Sequence, residues 1–463
     1  MSTKFAGKGV FFFCYFLLLA AIWTGVVFHS SWNPDYTAGE LYDNFLAWQE
    51  KGNLYFVLTE QPFRVLNYPP LFFYGVKALT FLNLAPLEAG RILSLLSGSL
   101  CLFVLYAWLK RLGLSTSSRL CVLAFCASSF PLLYPLPQFH LQWTAIAFSF
   151  LGLYLLQPSH LFRTVCGCLL LVLACFTKQT QIITWGIGLL WIFFQNRKIA
   201  LLVYLTVSVA AFTGIAYFCE NQFGSEIWRH LFTYTVGTFS WKQLGRELGM
   251  HVGPWILFFI LGLWRVQKTK FNEKDLTLLY FLGQSLWLLS AAREGASYQY
   301  FMEWSLALLL WIAPLLEEKL PAAAQWAFKA QYILGAAGVS ILLGYHILEM
   351  EKLNQILPKI CAQILPAHTP ILTDDPGLVR ACGAIPALQP FIFHNLAQKN
   401  LWNESILHEK LQRKDYALLI FPFNPNSGQV QERWSSQTLQ SILQNYELTE
   451  KMGRFYLWEA KKN

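Results

Sequence analysis

Charge is what this sequence has least of. Of its 463 residues, 13% are Asp, Glu, Lys or Arg, about half the share carried by a soluble domain. With 55% hydrophobic residues beside that deficit, a water-soluble globule is excluded. The chain also has no G-x-G-x-x-G, no P-loop, no zinc-type spacing of Cys and His, no internal repeat and no low-complexity tract. These absences remove dinucleotide and nucleotide-phosphate loops, structural zinc and solenoid architectures from consideration. The net charge of +9 is scattered through short loops and forms no basic stripe, so no nucleic-acid partner is expected. Ten cysteines form no disulfide framework. Cys14, Cys101, Cys121, Cys126, Cys166, Cys168 and Cys175 fall in apolar stretches, where a thiol is a small apolar side chain. Cys219, Cys361 and Cys382 lie outside them, and a Cys361 to Cys382 disulfide is open to that pair without support from spacing.

What the chain does have is a series of apolar stretches near the roughly twenty residues that cross hydrocarbon. They fit Val10 to Phe28, Ile92 to Leu109, Leu120 to Tyr134, Leu141 to Leu156, Val165 to Phe176, Ile182 to Phe194, Ile199 to Phe218, Pro254 to Trp264, Leu276 to Ser290, Trp304 to Leu316 and Ile333 to Leu348. A polytopic α-helical membrane protein of about eleven spans is predicted. Lys4 and Lys8 precede the first span, and Phe28-His29-Ser30-Ser31-Trp32 offers no small-x-small cleavage site, so the segment reads as a retained anchor with its N-terminus inside.

Cations set the orientation, because short positive loops stay in the cytoplasm. Lys110, Arg111 and Arg119, then Arg163, then Arg197 and Lys198, then Arg265, Lys268, Lys270 and Lys274, then Lys319 and Lys329 occupy alternate loops, which are read as inner. The segment from His29 to Gly90, the turns at 135–140 and 178–181, the loops 219–253 and 291–300, and everything after Glu349 then face outward. Pro69 to Leu84 is apolar enough to threaten this parity. Pro69-Pro70 at its start and Lys77 within it argue for an interfacial helix along the outer surface. Aromatic residues, 16% of the chain, suit the interface belts of such a protein.

From about His368 the pattern changes. Pro370 to Thr373, Tyr416 to Phe421 and Arg454 to Glu459 read as strands, and Glu404 to Arg413 and Ser436 to Tyr446 as amphipathic helices. The expected organisation is a membrane module over 1–348 with its first outer loop at 29–90, a linker over 349–367 broken at Pro358 and Pro366, and a small C-terminal extracytoplasmic α/β domain over 368–463.

The candidate chemistry sits in the outer segments. Asp35 and Glu40, in Asn33-Pro34-Asp35-Tyr36-Thr37-Ala38-Gly39-Glu40, lie just beyond the first span. A carboxylate partly removed from water has a raised pKa and can serve as a general base; the plain alternative is a solvated pair capping a helix that begins near Tyr36. Lys178 occupies the short turn Thr177-Lys178-Gln179-Thr180, and Arg293 lies at a similar depth beside Glu294. A charge so close to hydrocarbon is paired, functional or snorkelling, and a phosphate would satisfy either cation. No ligand cluster demands a metal.

Asp35 with Gly39-Glu40, Gly52-Asn53-Leu54-Tyr55, Tyr68-Pro69-Pro70-Leu71, Gly90-Arg91, Lys178-Gln179 and Gly295 to Tyr300, in that order, resemble the bacterial branch of the GT-C glycosyltransferases. That superfamily includes the family 39 protein O-mannosyltransferases and the lipid A aminoarabinose transferase. The resemblance covers the membrane module almost end to end and extends to the outward α/β domain. It implies an inverting transferase in the bacterial inner membrane that moves a sugar from a polyprenyl-phosphate donor to an acceptor lipid, glycan or protein outside the cytoplasm. It also implies Glu40 or Asp35 as base, Lys178 and Arg293 on the lipid phosphate, and Tyr68, His140 and Tyr298 toward substrate. Some relatives hold a divalent cation near the acidic loop. Many place Arg-x-Asp at the start of the fourth span, where this chain has His140-Leu141-Gln142, so its sugar geometry is expected to differ. The rival class is a transporter or flippase of a lipid-linked sugar, against which stand the missing inverted repeat, the odd span count and the long first outer loop.

Overall fold

The computed structural model describes the whole chain except residues 1–2, 34, 60, 158–159, 236, 270–271, 273–274, 319–320, 366–369, 426–432 and 463. Pro34, Lys270, Lys274, Lys319, Pro366 and His368 therefore lie outside the described residues.

The membrane module is a bundle of helices. In chain order they are α1 (Thr3–His29), α2 (Tyr36–Lys51), α3 (Leu71–Thr80), α4 (Pro86–Arg111), α5 (Thr116–Ala127), α6 (Phe130–Leu133), α7 (Gln142–Leu156), α8 (Leu161–Thr177), α9 (Ile182–Phe194) and α10 (Lys198–Phe223). They continue with α11 (Glu226–Trp228), α12 (Trp241–His251), α13 (Ile256–Thr269), α14 (Leu276–Trp287), α15 (Gln299–Ile312) and α16 (Ala322–Ile364). Among the described residues, five helices or helix runs are long and apolar enough to cross a membrane: Val10–His29, α4, α10, Gln299–Leu316 and α16. The bent pair α12 and Gly253–Thr269, broken by 46°, makes a sixth. Among the shorter apolar helices, all but α3 coincide with the remaining expected spans. α3 has ten residues, about 15 Å of helix, half the thickness of hydrocarbon. It packs with α4 and α2, with Lys77 Nζ 4.5 Å from the Trp48 ring.

Phe11, Leu18, Phe103, Phe193, Leu202 and Ile341 present large apolar side chains outward. Such a girdle suits lipid and would be untenable in water. Arg111 reaches the Tyr154 carbonyl and Arg197 the Leu156 carbonyl, while Lys268 pairs with Glu318 at 2.6 Å. The loops rich in cations thus gather at one end of the bundle, and the first loop, α12 and the C-terminal domain occupy the other.

That domain is a four-stranded sheet in the order β1, β2, β4, β3, formed by β1 (Leu372–Thr373), β2 (Leu418–Phe421), β3 (Tyr446–Met452) and β4 (Phe455–Ala460). β1 pairs parallel to β2, and the other pairings are antiparallel. α17 (Pro376–Ala381), α18 (Pro390–Gln398), α19 (Ser405–Gln412) and α20 (Ser436–Asn445) complete it. The segment expected as a linker instead prolongs α16, which runs unbroken through Pro358. A proline inside a helix costs about 3 kcal/mol. Leu353, Ile360 and Ile364 offset it by packing into one core with Leu378, Val379, Ile420 and Phe455 of the domain. Cys361 at the end of this helix and Cys382 after α17 form a disulfide.

Candidate functional site

α2 begins where Asp35 stops the preceding turn, its Oδ1 accepting from the Ala38 amide at 2.9 Å. Its apolar face, Leu41, Phe45 and Trp48, packs with Phe72 and Phe73 of α3 and with Phe139. Its other face carries Tyr36 and Glu40 and meets the C-terminal domain. A Cβ on Gly39 would stand 2.9 Å from the Gly377 nitrogen, so only glycine lets α2 and α17 come this close. Behind that contact lies an ion-pair cluster. Asp43 accepts from Arg64 Nε at 2.6 Å and from Arg380 Nε at 2.6 Å, and Arg380 also donates to Glu50 at 2.7 and 3.1 Å.

Between the segment that follows α1, the turns at 178–181 and 291–300, and the C-terminal domain lies a cavity of 610 Å³. Asp35, Glu40, Tyr68, Lys178 and Arg293 all line it. Glu40 Oε1, Asn67 Oδ1 and Gln179 Oε1 are cut off from water and find no hydrogen-bond partner among the described residues. Burial pushes the Glu40 carboxyl up to about 8, against the pull of Tyr36 and Arg433. Asp35 has less freedom, since its second oxygen accepts from the Tyr298 hydroxyl at 3.3 Å. It is the capping residue of the plain alternative, whereas Glu40 caps nothing.

Lys178 is 4% exposed. Its ammonium donates to Gln142 Oε1 and stands 5.4 Å from the Tyr300 ring and 6.0 Å from the Tyr68 ring. Burial lowers its pKa to about 8, and Glu303 opposes the shift. Glu303 of α15, absent from the sequence-level reading, accepts from Thr184 Oγ1 at 2.6 Å, Gln181 Nε2 at 2.9 Å and the Tyr280 hydroxyl at 2.9 Å. Gln181 in turn accepts from Ser149. This network fixes the turn that holds Lys178. Arg293 donates to the Thr235 carbonyl at the cavity edge.

His140 and Tyr298 do not line the cavity. His140 is fully buried, its Nδ1 accepting from the Gln142 amide at 3.2 Å, and burial holds its pKa down at about 3. Tyr298 stands behind Asp35 as its donor. Where the expected Arg-x-Asp is missing, Gln142 fills the position and turns a neutral oxygen to Lys178. Arg91 anchors the end of the first span to the loop, donating to the Ser30 and Trp32 carbonyls at 2.7 and 2.8 Å. Reading the sequence missed Arg433 of the C-terminal domain. Its guanidinium lies 4.7 Å from the Tyr36 ring, donates to Asp374 at 2.6 Å and lines the same cavity. No three His, Cys, Asp or Glu side chains converge as a metal set among the described residues.

No protein-family model and no curated protein sequence matches the chain. Among solved structures, ArnT from Cupriavidus metallidurans bound to undecaprenyl phosphate superposes with a TM-score of 0.61 at 12% identity over 99% of both chains. The apo ArnT structure gives 0.62 at the same identity and coverage. The alignment takes in the helical bundle and the terminal sheet domain alike, and the chain has the membrane GT-C fold.

Proposed function

We propose that the protein is a glycosyltransferase that moves a sugar from a polyprenyl-phosphate donor to an acceptor hydroxyl on the extracytoplasmic face of a bacterial inner membrane. The observation that carries this reading is the cavity itself: Glu40, a carboxyl with its Oε1 unpartnered, shares it with a buried ammonium, Lys178, in a fold whose solved counterpart binds undecaprenyl phosphate. Glu40 takes the proton of the acceptor hydroxyl. The freed oxygen forms its bond to the anomeric carbon as the bond from that carbon to the phosphate oxygen breaks. Polyprenyl phosphate leaves with the electron pair, its added charge met by Lys178 and Arg293. A single displacement of this kind inverts the anomeric centre.

Of the two acidic candidates Glu40 is the better base, because Asp35 is committed to Ala38 and Tyr298. The idle oxygens of Asn67 and Gln179 ask for donors, and sugar hydroxyls supply them. Sidedness rests on the inner cations, with the N-terminus in the cytoplasm and residues 368–463 as the periplasmic domain. A Cys361 to Cys382 disulfide belongs to an oxidising compartment, the side so assigned. A transporter or flippase of a lipid-linked sugar would need no base, so the test is chemical. Purified protein in nanodiscs is given a panel of undecaprenyl-phosphoryl sugars, and the release of undecaprenyl phosphate is followed. Release by the wild type, with donor KM raised about 30- to 150-fold in Lys178→Met, is expected, since a charge-assisted phosphate contact is worth roughly 2–3 kcal/mol. Bidirectional movement of donor without release would overturn the reading.

A further inference from the structure

The C-terminal domain touches the first outer loop through more than apolar surface. The Phe63 amide donates to the Ala387 carbonyl at 3.0 Å, the Val65 amide to Gln389 at 2.8 Å, and Trp32 to Asp375 at 3.2 Å. Together with the Gly39 to Gly377 approach and the Asp43 cluster, these contacts fix the domain in one register over α2. The register has one chemical consequence. It carries Arg433, held by Asp374, across the seam and sets its plane over Tyr36, four residues and one helical turn before Glu40. Tyr36, Glu40 and Arg433 then form one wall of the cavity.

We propose that the C-terminal domain is a working part of the active site, with Arg433 as the positioning residue that holds Tyr36 and the Glu40 carboxylate in their reactive arrangement. Arg433 suits this role by chemistry. A guanidinium stacks on a ring, keeps its charge and spends one N–H on Asp374 while others remain for the cavity. Its charge favours the ionised form of Glu40, while Asp43 on α2, Asp374 across the seam and the Tyr68 and Tyr36 hydroxyls surround the same carboxyl. Uncharged Glu40 is useless as a base, so the domain's presence sets how much base exists at working pH.

This proposal rests on Glu40 being the base, but it is tested by a readout that needs no substrate. Dicyclohexylcarbodiimide labels buried protonated carboxyls, and the labelled residue is found by peptide mass spectrometry. The full chain in nanodiscs is labelled between pH 6 and pH 10 as wild type, Glu40→Gln, Arg433→Gln and Arg433→Lys. Label at residue 40 is expected in wild type and absent in Glu40→Gln. In Arg433→Gln the pH at which that label falls by half is expected to move up by about one unit, the size of effect a nearby charge produces. In the panel assay kcat falls about tenfold or more with donor KM unchanged. Arg433→Lys keeps the charge without the planar stack, so its label profile is expected near that of wild type while kcat stays low. An unmoved profile in Arg433→Gln, with the Cys361 to Cys382 disulfide intact, overturns the proposal; if that variant does not fold, wild-type kcat in Arg433→Lys does so. A moved profile in a protein that transfers none of the sugars leaves the Arg433 to Glu40 coupling standing and removes the transferase reading instead.

Discussion

Replacing Glu40 by glutamine should lower activity and raise stability together, and the two effects have a common origin. The cavity holds the carboxyl at about 8 against an ordinary 4.5. The native protein therefore binds a proton that the unfolded chain releases anywhere between those values, and stability falls as pH rises through that window. Taken at face value the difference is roughly 4–5 kcal/mol. The carboxyl lines an open cavity and only its Oε1 is cut off from water, so its charge is partly screened and about half of that, roughly 2 kcal/mol, is expected. Glutamine has no proton to lose. The variant should match wild type near pH 4.5 and become the more stable of the two by pH 8, as read by tryptophan fluorescence on thermal unfolding in detergent. Transfer should fall by about 10²- to 10⁴-fold, the usual worth of a general base. Wild-type activity should rise with pH toward 8, and the residual activity of the variant should not follow it. A variant that is both fully active and less stable at pH 8 would show Glu40 to be a structural side chain, refuting the reasoning.

The seam with the C-terminal domain offers two further tests. Gly39→Ala places a methyl 2.9 Å from the Gly377 backbone, and overpacking of that kind costs about 1–3 kcal/mol; limited proteolysis should release the domain faster while the helical signal of the bundle is kept. Asp43→Asn removes the carboxylate charge shared by Arg64 and Arg380; Arg380 keeps Glu50, but Arg64, buried at 2% exposure, loses the charge it is paired with, a loss of about 3–5 kcal/mol. Double replacement of Asp43 and Arg64 should recover part of it in a mutant cycle.

Much of the membrane module was legible because lipid favours apolar runs: each expected span overlaps an apolar helix, and among the described residues five of these helices, or six with the bent pair, are long enough by themselves to cross. Pro69-Pro70 marked where α3 begins, because proline is tolerated at the start of a helix and disfavoured within it. The C-terminal strands were legible where burial is complete, as in Leu418 to Phe421. β3 was not, since Tyr446 and Met452 alone are buried along it and its exposed middle reads Glu-Leu-Thr-Glu-Lys. Its charges protect an edge strand and erase the alternation that would announce it. α16 passed Pro358 because tertiary packing outweighed a local preference. At the site, Asp35, Glu40, Lys178 and Arg293 stood out as charges where charges are scarce. His140, read from the sequence as a turn residue, is fully buried in the fold.

Arg433 and Glu303 were invisible for opposite reasons. Arg433 belongs to a segment whose charges look like any solvated surface, and its meeting with Tyr36 depends on docking that no local pattern encodes. Glu303 sits early in an apolar helix, where its isolation was itself a signal: a carboxylate at that depth is retained only with donors around it, and Thr184, Gln181 and Tyr280 supply them. The two residues bracket the cavity. One fixes the turn bearing the cation from below, and the other holds the carboxylate wall from above. Buried ion pairs such as Arg64–Asp43–Arg380 contribute little net stability against apolar replacements, yet they tolerate no slippage. Placed at the seam beside Gly39, they act as a register pin, and the register is what brings a guanidinium from one domain onto the tyrosine of another. A relative that kept the bundle but docked its terminal domain elsewhere would share the fold and lack this wall, which is how one scaffold can carry different substrate preferences.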